Sequence, residues 1–128
     1  DQPRGGSIIN ISSIAGVYGS TMMAHYGASK AAVINFTRAL GMAWGRKGVR
    51  VNCIAPGPVE TEGYLGVLTK QDPAAAKKAY DTVANRVGMG RWGKVEELQG
   101  ACIFLASDAA SFVNGHILYV DGGITASL

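Results

Sequence analysis

Two β-branched apolar runs flank a long helical pattern in the first part of this chain. The first run covers residues 7–12, the helical pattern extends from about residue 24 to residue 46, and the second run covers residues 49–54. This order predicts a βαβ unit, in which a right-handed crossover joins two parallel strands. The carboxyl ends of parallel strands lie at one edge of a sheet, and ligands of open α/β sheets bind there. The sequence therefore predicts an α/β fold with its site at that edge.

The rest of the chain adds a long segment, a helix and a third strand. Residues 60–93 show no strand periodicity and contain several glycines, namely Gly63, Gly66, Gly88, Gly90 and Gly93. A segment of this length is typical of a lid or a binding loop. Within it, Asp72 and Pro73 predict the start of one helix, as N-cap and first helical residue. A further helix is predicted over residues 95–106 and a strand over residues 116–120.

Composition and charge exclude several function classes. The chain has 128 residues, of which 48% are hydrophobic and 16% are charged, and this balance is typical of one globular domain. Its net charge is +3, but the basic residues are scattered, so no nucleic-acid partner is expected. No apolar run is long enough to cross a bilayer, and the first residues do not resemble a signal peptide, so no membrane association is expected.

The cysteines indicate a reducing environment. Cys53 and Cys102 lie inside apolar runs, without the spacing of a metal site or of a redox pair. They are therefore predicted to be buried, reduced thiols in a cytoplasmic protein, and no metal is expected.

The helical pattern over residues 24–46 is apolar on more than one face. Val33, Phe36, Leu40 and Ala43 recur at spacings of three and four, and other apolar residues widen this stripe. A helix of this kind needs a second surface to cover it. We expect that surface to be a neighbouring helix of the same chain or a partner subunit.

A tyrosine and a lysine four residues apart lie near the start of this helix. Tyr26 and Lys30 are about one turn apart on one face, so the ends of their side chains can converge. A phenol is a poor proton shuttle at neutral pH, and a nearby ammonium stabilises its anion. By itself such a pair is common on surface helices, so its surroundings must decide. Ser13 follows the first predicted strand, which brings its hydroxyl to the sheet edge where this helix begins.

Further motifs extend along nearly the whole chain in one order. They are Gly6-Ser7-Ile8-Ile9-Asn10-Ile11-Ser12-Ser13, Tyr26-Gly27-Ala28-Ser29-Lys30-Ala31-Ala32, Arg50-Val51-Asn52-Cys53-Ile54-Ala55-Pro56-Gly57, Gly90-Arg91-Trp92-Gly93, Phe104-Leu105-Ala106-Ser107-Asp108 and Val120-Asp121-Gly122-Gly123. In these motifs the chain resembles the short-chain dehydrogenase/reductase family, and especially its 3-oxoacyl-acyl-carrier-protein reductases. The resemblance implies the C-terminal half of a doubly wound Rossmann-type parallel sheet, with three strands and flanking helices. Residues 1–128 would form one partial domain, the catalytic half, with a lid over about residues 60–93.

The resemblance implies a role for each matched residue of the catalytic group. Tyr26 would act as the general acid in carbonyl reduction, or as the base in alcohol oxidation. Ser13 would bind the substrate oxygen, while Lys30 would assist Tyr26 and hold the nicotinamide ribose. The family's spacing between serine and tyrosine selects Ser13 rather than Ser12. The implied activity is hydride transfer between NAD or NADP and a carbonyl or secondary alcohol, with acyl thioesters as a candidate substrate class.

The resemblance also assigns residues to the cofactor. It places the turn Pro56-Gly57-Pro58-Val59 at the nicotinamide, with the Val59 backbone at the carboxamide and Thr61 near the pyrophosphate.

Other residues are candidates for the substrate pocket. Met22 and Met23 precede Tyr26 and would either line an apolar pocket or pack in the core. Trp92, together with Tyr64, would close the lid over substrate or pack within the loop. The neighbouring carboxylates are predicted to be solvated residues of the lid, namely Glu60 and Glu62.

Several cofactor elements of the family have no counterpart in the matched region. The glycine motif for the cofactor phosphates, the residue that selects NAD or NADP, the Asn-Asn-Ala-Gly segment and the asparagine of the proton relay all precede this region in the family. We therefore expect these 128 residues to be a truncated part that is inactive alone. The alternative is a module without catalysis that only associates with other chains, through the long helix and the sheet edge. Intact members usually form a homodimer or homotetramer through such surfaces.

One glycine pattern imitates a phosphate-binding motif. Residues 88–93 match GxGxxG, but they follow a predicted helix rather than a strand, and Val95 stands where a P-loop needs a hydroxyl. We predict a turn that leads into the next helix.

Overall fold

Three parallel strands form the sheet, as the sequence predicts. The computed structural model describes residues 5–21, 23–68, 70 and 72–127. Strand β1 (Gly6–Ile11) pairs with β2 (Val49–Pro56), and β2 pairs with β3 (Ile117–Val120). Ile8 lies opposite Val51, and Cys53 lies opposite Ile117. The carboxyl ends of all three strands therefore lie at one edge, where the candidate site was expected.

The crossover between β1 and β2 is helix α1 (Ala24–Trp44), which continues into a 3-10 turn, Gly45–Lys47. Its buried residues are Ile34, Thr37 and Gly41, and Ile34 packs against Cys53 and Ala55 of β2. The predicted stripe is therefore only partly right, because Phe36 is 59% exposed and Ala43 is also exposed.

The face of α1 that is turned to the core differs from the predicted apolar stripe because a buried polar residue lies on it. Thr37 is fully buried because its hydroxyl is satisfied twice: it donates to the carbonyl of Val33 at 2.8 Å and accepts from the Asn10 amide at 3.0 Å. A paired hydroxyl can occupy the core at little cost. The apolar residues around Phe36 are left on the outer face of the helix.

Residues 60–93 contain more helix than predicted. Helix α3 (Pro73–Ala84) begins as expected, with the Asp72 carboxylate accepting from the backbone N–H groups of Ala74 and Ala75. A shorter helix, α2 (Glu62–Leu68), was not predicted. Gly63 and Gly66 weaken its helical pattern in the sequence.

Helix α4 (Gln99–Ala106) covers the other face of the sheet. It follows a 3-10 turn, Val95–Leu98, so the predicted helix over residues 95–106 is in fact a turn and a shorter helix. Leu105 of α4 is fully buried against Ile54 of β2 and Ala110. Further 3-10 turns are Asp108–Ala110 and Ile124–Ser127.

The cysteine prediction is half right. Both thiols are free, and Cys53 is buried in β2, where desolvation is the main cause that raises its pKa. Cys102 is exposed on α4, because the side of this helix that carries it faces away from the sheet. Among the residues that the structure describes, no helix has both the length and the apolar character that crossing a bilayer requires.

The packing of α4 predicts a clear contrast between two of its residues. Leu105→Ala should lower the free energy of unfolding by about 2–5 kcal/mol, because it leaves a cavity in a dry core. Ile103→Ala changes a residue of the same helix that is 68% exposed, and should cost less than about 0.5 kcal/mol. Urea unfolding followed by circular dichroism measures both. Equal losses would contradict the packing described.

Candidate active site

Two glycines allow the residues after β1 to contact α1. A 3-10 turn, Ile14–Gly16, follows the strand and packs on the first part of the helix. A Cβ at Gly16 would lie 2.7 Å from the backbone carbon of Lys30, and a Cβ at Gly27 would lie 2.8 Å from the carbonyl oxygen of Ala15. Both separations are shorter than real Cβ atoms show, so glycine is required at both positions. This contact brings the end of β1 next to the turn of α1 that carries Lys30.

The two serines at the end of β1 have different environments. Ser12 is 3% exposed, and its hydroxyl donates to the carbonyl of Lys30 at 2.8 Å. Ser12 therefore fastens α1 to the strand. Ser13 is half-buried, and its Oγ accepts from the Ala15 backbone N–H at 3.1 Å, which leaves its own proton available to donate. This difference favours Ser13 over Ser12 as the group that binds a substrate oxygen, a role that stays a prediction.

The structure brings Lys30 and Tyr26 together. The Lys30 ammonium donates to the Ile11 carbonyl at 3.3 Å and lies 5.6 Å from the centre of the Tyr26 ring. That distance is within the range of a cation–π contact, roughly 6 Å. The Tyr26 ring is 39% exposed, so it is accessible from outside the fold. The end of β1 thus carries a hydroxyl, an ammonium and an accessible phenol on neighbouring elements.

An open groove lies beside the start of α1, and Ser13, Tyr26 and Lys30 are not among its lining residues. It has a volume of about 330 Å³ and lies between the loop after β1 and the start of α1, with Tyr18, Met23 and Ala31 among its lining residues. Met23 is 42% exposed and lines this groove, which argues against core packing, and its contact with substrate stays a prediction. Met22, the other predicted pocket residue, lies outside the described residues.

The turn after β2 is held close to the end of β3. The Gly57 backbone N–H donates to the Val120 carbonyl at 3.0 Å, and a Cβ at Gly57 would lie 2.6 Å from the Cα of Asp121. The Asp121 carboxylate in turn accepts from Thr125 and from the Gly123 backbone. Burial alone would raise the pKa of Asp121, but these hydrogen bonds outweigh it and lower that pKa. The Pro56–Pro58 turn therefore packs against Asp121, whose side chain is held in place by these hydrogen bonds.

A single parallel bridge connects Val59 to Gly93. The Gly93 N–H donates to the Pro58 carbonyl at 2.9 Å, and the Glu60 N–H donates to the Gly93 carbonyl at 2.9 Å. In such a bridge the N–H and carbonyl of Val59 itself point to the opposite side. Val59 can therefore offer a backbone donor and acceptor to a ligand. Thr61 is exposed, and its hydroxyl accepts from the Tyr64 N–H at 3.3 Å at the start of α2.

Trp92 lies between two tyrosines. Its ring centre is 4.3 Å from that of Tyr64 and 5.3 Å from that of Tyr80, and its indole N–H donates to the Tyr80 carbonyl at 3.1 Å. Trp92 is only 6% exposed. The structure thus shows Trp92 packed within its own segment of the chain, and the predicted contact of Trp92 with substrate stays a prediction.

Sequence reasoning missed the bond between Tyr80 and Glu60. The Tyr80 hydroxyl donates to the Glu60 carboxylate at 2.5 Å, and this hydrogen bond is the main cause that raises the pKa of Tyr80. Glu60 was expected to be solvated, and it is instead half-buried and bonded, whereas Glu62 is exposed as expected. The partners are 20 residues apart, and no local pattern links them.

An ion pair closes the turn after Trp92. The Arg91 guanidinium donates to both Glu97 oxygens, at 2.8 and 2.7 Å, and Glu97 also accepts from the Lys94 backbone N–H. These hydrogen bonds lower the pKa of Glu97 from its ordinary 4.5 to about 2. Residues 88–93 therefore form a turn that leads into the 3-10 turn at Val95, as predicted. Across the described ranges, no group of acidic, cysteine and histidine side chains is arranged to hold a metal ion.

The carboxyl edge of the sheet thus carries a serine hydroxyl, an accessible phenol and an ammonium, and the Val59 backbone groups point away from the bridge in the next turn. Groups of these kinds serve proton transfer and cofactor binding in α/β oxidoreductases that act on alcohols and carbonyls.

Comparisons with known proteins identify the family to which the chain belongs. A family model described as Enoyl-(Acyl carrier protein) reductase matches residues 2–125. The chain belongs to this family, a branch of the short-chain dehydrogenases/reductases.

Individual relatives agree with this assignment. The chain is 46% identical to gluconate 5-dehydrogenase of Gluconobacter oxydans, over 98% of this chain and 47% of the relative. It is 40% identical to a 3-oxoacyl-acyl-carrier-protein reductase of Thermotoga maritima, over 94% of this chain and 46% of the relative. The chain thus spans about half the length of the curated relatives it matches.

Solved structures share the fold. A gluconate 5-dehydrogenase from Burkholderia cenocepacia, in complex with NADP and tartrate, superimposes with a TM-score of 0.85 and 43% identity, over 97% of this chain and 46% of that one. The aldohexose dehydrogenase of Thermoplasma acidophilum gives a TM-score of 0.88 at 32% identity, over 98% of this chain and 50% of that one. The predicted half of a doubly wound sheet is confirmed by these matches.

The Arg91–Glu97 pair predicts an unusual carboxyl titration. Because the folded pKa of Glu97 is lowered, the pair stabilises the fold fully above pH 4.5, and this contribution is lost as the pH falls through about 2. Carbon-13 NMR of the Glu97 carboxyl should give a midpoint near 2, and Arg91→Leu should raise it towards 4.5. Arg86→Leu removes an exposed guanidinium from the same segment and should leave the midpoint unchanged. A wild-type midpoint near 4.5 would disprove the pairing.

Proposed function

We propose that the full-length protein containing these residues transfers hydride between NAD or NADP and a carbonyl or secondary alcohol. The observation that carries the proposal is the grouping of Ser13, Tyr26 and Lys30 at the carboxyl edge of the sheet, together with membership of the family. The site residues keep the roles implied by the family resemblance, since the hydroxyl of Ser13 has a free proton and the ring of Tyr26 is accessible.

The proton chemistry is assigned to groups of this chain. Ser13 donates a hydrogen bond to the substrate oxygen and orients it towards Tyr26. The Tyr26 hydroxyl gives its proton to that oxygen during reduction and takes one from it during oxidation. The Lys30 ammonium is assigned to stabilise the negative charge left on Tyr26, because opposite charges attract. The bond from Lys30 to the Ile11 carbonyl keeps the ammonium at the strand end.

The residues after β2 fit a nicotinamide cofactor. Val59 has its N–H and carbonyl on the free side of the bridge, so it can bind the carboxamide. Pro56 and Gly57 would support the ring, Thr61 would lie near the pyrophosphate, and Tyr26 and Lys30 would contact the ribose. When bound, the nicotinamide supplies or accepts the hydride. The NADP bound by the Burkholderia cenocepacia relative supports this assignment.

The proposed substrate is a small oxo or hydroxy compound. Relatives named gluconate 5-dehydrogenase and 3-oxoacyl-acyl-carrier-protein reductase support this class. Residues 60–93 would act as the lid over it. We assign residues 1–128 to the catalytic half of one Rossmann-type domain, with the phosphate-binding half supplied by other residues of the full-length protein.

We also propose a homodimer or homotetramer in the cytoplasm. The outer face of α1 supports self-association, since Phe36 and Met42 are 59% and 87% exposed and would be buried against a partner subunit. The free thiols of Cys53 and Cys102 fit a reducing compartment. These same apolar surfaces favour the second candidate function, a module that only associates with other chains.

Replacing the phenol tests the catalytic role. In the full-length protein, Tyr26→Phe should lower kcat for carbonyl reduction at least about a hundredfold, because the proton donor is lost. Cofactor affinity, measured by fluorescence titration, should stay within about twofold. Tyr119→Phe is a matched control, since Tyr119 is also 39% exposed but lies on β3 and has no proposed role in the chemistry. Substantial turnover by Tyr26→Phe would contradict the assigned role.

The isolated chain tests the assignment to a catalytic half. Residues 1–128 alone should bind NADH and NADPH with a Kd weaker than about 1 mM, because the pyrophosphate seat of a doubly wound fold belongs to its other half. Fluorescence titration measures this. A micromolar Kd would overturn the assignment to a catalytic half.

A further inference from the structure

A closed circuit of contacts joins helix α3 to the residue proposed to bind the nicotinamide. Tyr80 of α3 donates its hydroxyl to Glu60, and Glu60 is covalently next to Val59. Val59 is bridged to Gly93, Gly93 follows Trp92, and the Trp92 indole donates back to the Tyr80 carbonyl. Each member is thus held by both of its neighbours in the circuit.

From this circuit, which rests on the proposed function, we infer that Tyr80 is a positioning residue that couples nicotinamide binding at Val59 to the ordering of lid helix α3. Tyr80 does not touch the reacting atoms. It acts through the Glu60 carboxylate, which it holds at 2.5 Å.

The direction of the Val59 backbone groups depends on the hydrogen bonds made by the residues on either side of it. Its free N–H and carbonyl keep their direction only while Pro58 and Glu60 remain bonded to Gly93. The Tyr80–Glu60 bond fixes the side chain on one flank of Val59, and Trp92 fixes the segment opposite. Loss of the Tyr80 hydroxyl therefore loosens the flank of Val59 without removing the stacked rings.

The coupling must act in both directions. If an ordered α3 improves the seat of the nicotinamide, then a bound nicotinamide must order α3 by the same factor. Helix α3 is otherwise weakly held, because Ala84 is its only buried residue among those that the structure describes. The circuit would thus let the cofactor prepare the lid before substrate enters.

Tyr64 provides a control within the same stack. Tyr64 and Tyr80 both stack on Trp92, but no hydrogen bond of the Tyr64 hydroxyl is found in the described part of the chain. Tyr64→Phe and Tyr80→Phe therefore remove the same group from the same stack, and only the second breaks the circuit.

The test uses the full-length protein and whichever of NADH and NADPH binds the wild type more tightly. Tyr80→Phe should raise the Kd of that cofactor about fivefold, the usual effect of one lost hydrogen bond, and leave kcat within about twofold. Hydrogen–deuterium exchange over residues 73–84 should slow when the wild type is saturated with cofactor. In saturated Tyr80→Phe this slowing should be lost, and in Tyr64→Phe it should be retained.

Variants of Glu60 keep the inference testable even where Tyr80→Phe folds poorly. Glu60→Ala should reproduce the loss of coupling, while Glu60→Gln, which keeps an acceptor oxygen, should preserve it. Identical behaviour of Tyr80→Phe and wild type, or equal losses in Tyr80→Phe and Tyr64→Phe, would overturn the coupling and leave the oxidoreductase proposal standing. A wild-type protein that binds neither cofactor would overturn both.

Discussion

The close approach of the turn after β1 to helix α1 is the contact on which the site depends. Gly16 and Gly27 leave no side chain between the two backbones, and the buried hydroxyl of Ser12 joins them by a hydrogen bond. A methyl group at either glycine would push the helix away from the strand. The proposed catalytic group would then be separated, since Ser13 belongs to the turn and Tyr26 and Lys30 belong to the helix. The contact between this turn and α1 therefore determines how far Ser13 lies from Tyr26 and Lys30, although the contact takes no part in the proposed reaction.

The turn after β2, which carries residues proposed to bind the cofactor, is held in a different way. The turn after β2 is positioned by backbone hydrogen bonds to β3 and to Gly93, rather than by side-chain packing. Backbone bonds of this kind fix direction well and depend little on which side chains are present. The residue proposed to bind the nicotinamide can thus be held firmly while the side chains of the lid around it differ.

The sequence predicted those features that depend on local patterns. β-Branched runs revealed the strands, and the pair Asp72-Pro73 revealed the start of α3 to the residue. Features that depend on distant partners were missed. Thr37 and Asn52 are polar yet fully buried, because Asn10, Val113 and His116 satisfy them across the fold. The proposed roles of Ser13, Tyr26 and Lys30 came from family resemblance, and the geometry adds a reason to prefer Ser13 to Ser12.

The segment between Val59 and Gly93 begins and ends at one place. These two residues are neighbours in a bridge next to the carboxyl end of β2, so the chain between them departs and returns at the same point. Insertions or replacements inside such an excursion need not disturb the strands, because the cost of closing a loop grows only slowly with its length. Evolution can therefore exchange this excursion as a unit. The chain is similar to a gluconate 5-dehydrogenase, a 3-oxoacyl-acyl-carrier-protein reductase and an aldohexose dehydrogenase, and this segment is one place where a shared framework can accommodate such variety.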